Sequence, residues 1–131
     1  MHSLNRDGIL QADDIKIEEV LVPEWGGWVR VRGLTATERD DYEQSIVSID
    51  SSGARMTDMA NFRARLVVRC VVDEKGVKLF KPDDAEILGR KSAAAVDRLW
   101  AVAQRLSGLS KEDVAELRKN SAGQSADSSS G

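Results

Sequence analysis

Apolar and polar positions along this chain follow two different periods. Between residues 15 and 32 the period is two, the spacing of a half-buried strand. Ile15-Lys16-Ile17 alternates, and so does Val20-Leu21-Val22, but the two runs are out of phase across Glu18-Glu19. A β-bulge at that point would reconcile them. Pro23 cannot donate to a ladder and marks the strand end. Gly26-Gly27 suits a tight turn, because glycine accepts positive φ without a steric cost. Trp28-Val29-Arg30-Val31-Arg32 then alternates, with Val29 and Val31 on one face and Trp28 on the other. These features predict a β-hairpin over 15–32.

From residue 35 onward the period lengthens to that of a helix. Thr35-Ala36-Thr37-Glu38 is a capping-box pattern, and it opens a helix over about 36–49, buried through Tyr42, Ile46 and Ile49. Asp50-Ser51-Ser52-Gly53 ends it. Thr57 is the candidate N-cap of a second helix. Met59, Phe62, Leu66, Val67, Cys70 and Val71 recur every three or four positions and form its apolar stripe. Residues 70–73 are also rich in β-branched side chains, so strand is the alternative there. Glu74-Lys75-Gly76 reads as a turn, and 77–80 as a short strand. Pro82 starts a short helix over 82–88, with acids in its first turns and Gly89 at its end. Ser92 caps the strongest helix, 93–107, whose inner face is Val96, Leu99, Trp100, Ala103 and Leu106. Ser110 and Asp113 form a second capping box, opening a last helix buried through Val114 and Leu117. The fold class is therefore α+β: an N-terminal hairpin, then a helical body of four to five helices. Residues 1–14 are expected to be loosely ordered, 15–119 to form one domain, and 120–131 to be a disordered tail, since almost nothing in them is apolar.

Composition narrows the function classes. The chain has 131 residues, one cysteine and one histidine, so neither an internal disulfide nor a multi-cysteine zinc site exists. Apolar runs are far shorter than the roughly 20 residues of a membrane helix, and no leader pattern is seen. The net charge of −3 disfavours nucleic acid, whose binding draws on a basic surplus. Charge is uneven, however. Residues 1–50 carry 5 Lys/Arg against 11 Asp/Glu, a net −6, and residues 51–131 carry 14 against 11, a net +3. Such halves either pair within the monomer or form a polarised face for a protein partner.

Candidate chemistry is sparse. Asp13-Asp14 and Asp40-Asp41 are sequence neighbours, whose side chains point apart, so neither is a natural catalytic dyad. Cys70 lies in an apolar stripe with no histidine to activate it. Gly26, Gly27 and Gly33 lack the context of a phosphate loop. Arg63, Arg65 and Arg69 read first as a solvated face. A helix-turn-helix over 91–119 would place Glu112, Asp113 and Glu116 against phosphate, which repels them. Catalytic, cofactor and metal residues are therefore expected to be none, and the chain is not expected to be an enzyme. Trp25 and Trp28 flank the glycine turn; either both pack over the hairpin or on the neighbouring helix, or they stand exposed, and an exposed tryptophan is a common interface anchor.

Several segments, in order, resemble the tail assembly chaperones of long-tailed, siphovirus-like bacteriophages and prophages. They are Val22-Pro23-Glu24-Trp25-Gly26-Gly27, Val29-Arg30-Val31-Arg32-Gly33-Leu34-Thr35 and Glu38-Arg39. Further on come Arg63-Ala64-Arg65-Leu66-Val67, Val72-Asp73-Glu74-Lys75-Gly76, Leu79-Phe80, Gly89-Arg90-Lys91-Ser92-Ala93-Ala94-Ala95 and Leu106-Ser107-Gly108-Leu109-Ser110. The resemblance covers about residues 4–120.

It implies a non-catalytic protein that binds the tape measure protein, keeps it soluble and helps recruit subunits of the tail tube (major tail) protein. Self-association is a further option, and neither nucleic acid nor membrane is an expected partner. The implied place of action is the host bacterial cytoplasm, with absence from the mature virion. In many such phages a ribosomal frameshift near the gene's end makes a longer form, and this chain would be the short one. The alternative is a structural head–tail connector or tail-completion protein. The residues chosen as a partner-binding patch are Trp25, Trp28, Arg30 and Arg32.

Overall fold

The computed structural model describes residues 2–118. A short helix, α1 (Arg6–Gln11), precedes β1 (Ile17–Val22). Asn5 caps α1 by accepting from the Gly8 amide, and none of its residues is buried. One 3-10 turn (Pro23–Trp25) leads through Gly26, at φ 72°, into β2 (Gly27–Arg32). The hairpin foreseen over 15–32 is thus present, with a connection longer than two residues.

The expected bulge is absent. Pairing runs unbroken from Ile17 opposite Arg32 to Val22 opposite Gly27. The phase conflict is resolved by exposure instead. Val20 and Val22 are buried, while Ile17 and Leu21 stand on the outer face at 51% and 47% exposure. Two exposed aliphatics cost less here than a broken ladder.

Helix α2 (Ala36–Ile46) starts at the predicted capping box. The Glu38 amide donates to Thr35 Oγ1 at 3.2 Å and the Thr35 amide to Glu38 Oε1 at 2.9 Å. It stops three residues short of expectation. Val47–Ile49 is a strand, β3, paired antiparallel with β4 (Arg55–Thr57). Ile49, expected in the core, is 74% exposed on this small ribbon. Thr57 is accordingly strand, not a cap. Helix α3 (Phe62–Cys70) is entered from Asn61, whose φ of 54° is left-handed.

After α3 the chain settles the strand alternative: Val71–Val72 is β5, paired with β2. The three-stranded order is β1-β2-β5. Only a single bridge, Val72 to Lys78, represents the strand expected over 77–80. A 3-10 turn (Pro82–Asp84) runs into α4 (Ala85–Leu88), then Ser92 caps α5 (Ala93–Leu106). Residues 111–118 form α6, opened by the second predicted box: the Asp113 amide donates to Ser110 Oγ and the Ser110 amide to Asp113 Oδ2. The fold class is α+β, as the patterning indicates. The tail expected over 120–131 lies outside the described residues.

The core sits between the inner sheet face and α3 and α5. Leu66, Val67, Val68, Leu99 and Ala103 are buried, and the rings of Tyr42, Phe62 and Trp100 stack in tilted contact at 6.0 and 5.0 Å. Helix α3 is enclosed on nearly all sides. That overturns the solvated reading for Arg65 and Arg69, while Arg63 stays exposed as expected. Arg69 is 6% exposed and gives its guanidinium to Asp41 Oδ2 at 2.9 Å and to the Arg65 carbonyl. Arg65 gives its own to the Ser45 and Asp58 carbonyls and to the Asp58 carboxylate.

Candidate partner-binding site

The turn of the β1–β2 hairpin fixes the two tryptophans chosen from the sequence. Trp28 is the second residue of β2, opposite Leu21, and is 66% exposed. Trp25 ends the 3-10 turn and packs half-buried against the core. Both line a hollow of about 370 Å³ floored by Val67, Leu88 and Leu99 and walled by Phe80. A second hollow of about 460 Å³ adjoins it, sharing Trp25, Leu79, Phe80 and Leu88 and reaching Ile87 and Lys91. Together they form one groove. Leu79 is 56% and Ile87 is 63% exposed along it. Large apolar side chains gathered around a concave surface are what a helix-in-groove interface uses.

The two arginines divide. Arg30 lines the groove with both of its hydrogen-bonding arms occupied. One guanidinium nitrogen donates to the Glu74 carbonyl at 3.0 Å and the other to Glu19 Oε1 at 3.1 Å. It therefore pins the 73–76 turn against β2 and holds the groove wall. Arg32 shares the face of β2 with Trp28 and Arg30 but lies away from the groove. It pairs with Glu38 Oε2 at 2.5 Å, and Lys78 closes on the same carboxylate. Its Nε is buried without a hydrogen-bond partner among the described residues. Burial resists the charged form of Glu38, yet the Lys78 hydrogen bond, the Thr35 amide and the two cations outweigh it, so its pKa is lowered. Arg32 belongs to this internal cluster.

Leu79, Phe80, Ile87 and Leu88 were not selected as site residues. A signal for them existed. Ile87 and Leu88 are adjacent on a four-residue helix, so only one can face inward. Leu88 is 6% exposed, and Ile87 is the residue left over.

Cys70 is buried, its sulfur 3.8 Å from Ser107 Oγ, and burial pushes its pKa up to about 11. At neutral pH it is a thiol, not a thiolate nucleophile. Among the described residues no cluster of three His, Cys, Asp or Glu side chains has metal-holding geometry, and no helix is long and apolar enough to cross a membrane.

A family model described as phage tail assembly chaperone matches residues 7–120. Neither a curated protein nor a solved structure gives a match.

Proposed function

Because the chain belongs to the phage tail assembly chaperone family, we propose that it binds the tape measure protein and keeps it soluble until tail tube subunits enclose it. The observation that carries this reading is the groove running from Trp28 past Leu79 to Ile87, three large apolar residues each more than half exposed. A long helical protein awaiting its tube presents apolar stripes to water. Such stripes aggregate unless covered, and a groove of this chemistry covers them. The chain acts in the host bacterial cytoplasm, helps recruit tube subunits and leaves before the virion is complete. It is the short form of a frameshift pair whose longer product contacts the tube protein.

The test is co-expression with the tape measure protein of the same phage or prophage. The expected result is soluble tape measure protein that co-purifies with this chain. Tape measure protein that stays insoluble in its presence, or this chain found in purified particles, overturns the reading. The second outcome would make it a virion component.

A further inference from the structure

A third hollow is basic, and the proposed function leaves it unused. It encloses about 440 Å³ where the start of α3 meets the link into α5. Its floor is apolar: Phe62, Ala64 and Val96 are all buried. Its rim carries Arg63, Lys91 and Arg118 against one acid, Asp97. Two features build the wall. Asn61 takes its left-handed turn here, and Gly89 leaves room for it, since a Cβ at 89 would stand 2.2 Å from Asn61 Oδ1.

The rim cations are only lightly committed. Arg63 and Asp97 pair at 3.2 Å with both side chains about half exposed, a pairing that solvent weakens and an incoming carboxylate can displace. The Arg118 guanidinium lies 5.6 Å from the Phe62 ring centre, held across the floor by a cation–π contact. Lys91 lines this hollow and also the apolar groove. The two therefore meet at Lys91. A segment lying along the groove and continuing past that residue enters a ring of cations over an aromatic floor.

We infer that the basic hollow receives carboxylate side chains of the client segment that occupies the apolar groove, so that the client is gripped by an apolar helix face and an adjoining acidic stretch. The inference rests on the chaperone reading and adds the chemistry of the partner. A polyanionic surface fits poorly, because Asp83 and Asp84 in the 3-10 turn and Glu86 in α4 would repel it, and Asp84 lines the groove itself. A short segment whose apolar part passes Asp84 and whose acids lie beyond Lys91 meets only Asp97 among the hollow's acids.

The full-length chain, purified in complex with the tape measure protein, is treated with a water-soluble carbodiimide, which joins an amine to a carboxylate in contact. Lys91 is expected to link to an Asp or Glu of the client. Arg63→Glu with Lys91→Glu is expected to weaken capture about tenfold at low salt and to leave the melting curve in place. Cross-links that avoid Lys91, or capture unaltered by the double reversal, overturn the inference. If Trp28→Ala abolishes capture while the double reversal does not, the apolar groove stands and the basic hollow falls. If the wild-type chain holds no tape measure protein at all, both readings fall together.

Discussion

Gly33 sits where the end of β2 meets the end of α5. A Cβ there would stand 2.3 Å from the Leu106 carbonyl oxygen and 2.9 Å from its carbon. Both obstacles are backbone, so relief requires the hairpin and α5 to separate. Gly33→Ala is predicted to cost about 2 kcal/mol or more, read as a lower urea midpoint with an unchanged slope. The neighbouring hydrogen bond, from the Leu34 amide to Ser107 Oγ at 3.1 Å, would be strained with it. Trp28 is the opposite case. At 66% exposure it holds little of the fold together. Trp28→Ala should change stability by less than about 1 kcal/mol while lowering capture of the tape measure protein at least tenfold, as loss of an aromatic anchor does. Unchanged capture in a pull-down would remove Trp28 from the site. A large fall in melting temperature would make it a core residue.

At the scale of elements, what could be read from sequence depended on how strongly each segment repeats. Helix α5 and the first hairpin carry long apolar patterns and capping residues, and both stand where the pattern puts them. The β3–β4 ribbon was illegible because it has almost no inner face. Ile49 and Met56 point to solvent at 74% and 53% exposure, so no burial period marks it. Ile49 happened to continue the spacing of Tyr42 and Ile46, which extended the predicted helix by three residues. Asn61 was hidden for another reason: its left-handed backbone starts α3 without any side-chain cap. Trp25 and Trp28 flank a turn in the sequence, and the structure brings both to the lining of one hollow. The pairing of Arg32 with Glu38 was not legible, because strand alternation gives a residue's face and not its partner. The joint between α2 and α3 rests on Arg65, whose guanidinium reaches the Ser45 carbonyl at 2.6 Å near the open end of α2 and Asp58 Oδ2 at 2.7 Å. Arg65→Ala is predicted to cost about 2–3 kcal/mol. Arg65→Lys should recover less than half of that, since an ammonium cannot span the three acceptors. Equal melting curves for wild type and Arg65→Lys would refute this account.

Over the whole molecule, the charge asymmetry between the halves is largely spent internally. Glu24 meets Arg98, Glu18 meets Arg105 and Asp41 meets Arg69, each pair joining an acid of the first fifty residues to a base of the remainder. Acid should therefore loosen the molecule. The Arg98 hydrogen bond lowers the pKa of Glu24, the Arg65 hydrogen bond that of Asp58, and the Ser110 amide that of Asp113. In each case the unfolded chain binds protons first as pH falls. The stability these groups contribute is present above their ordinary values of 3.8 for Asp and 4.5 for Glu, and is lost as pH drops through the lowered values. Burial raises Cys70 from 9.0 to about 11, so above pH 9 the unfolded chain is the first to release its proton, and stability falls again. The melting temperature should plateau between these limits and decline on both sides. A curve still rising below pH 4 would contradict the pairing scheme. The three tryptophans are also distributed unequally: Trp25 and Trp28 line the groove, and Trp100 is closed inside at 9% exposure. The molecule thus carries its own optical gauge. Excited at the red edge of indole absorption, the free chain should emit mainly from hydrated Trp28, long in wavelength and readily quenched by iodide. Seating a client should move that emission to the blue and shield it, leaving the contribution of Trp100 unchanged until the fold itself opens.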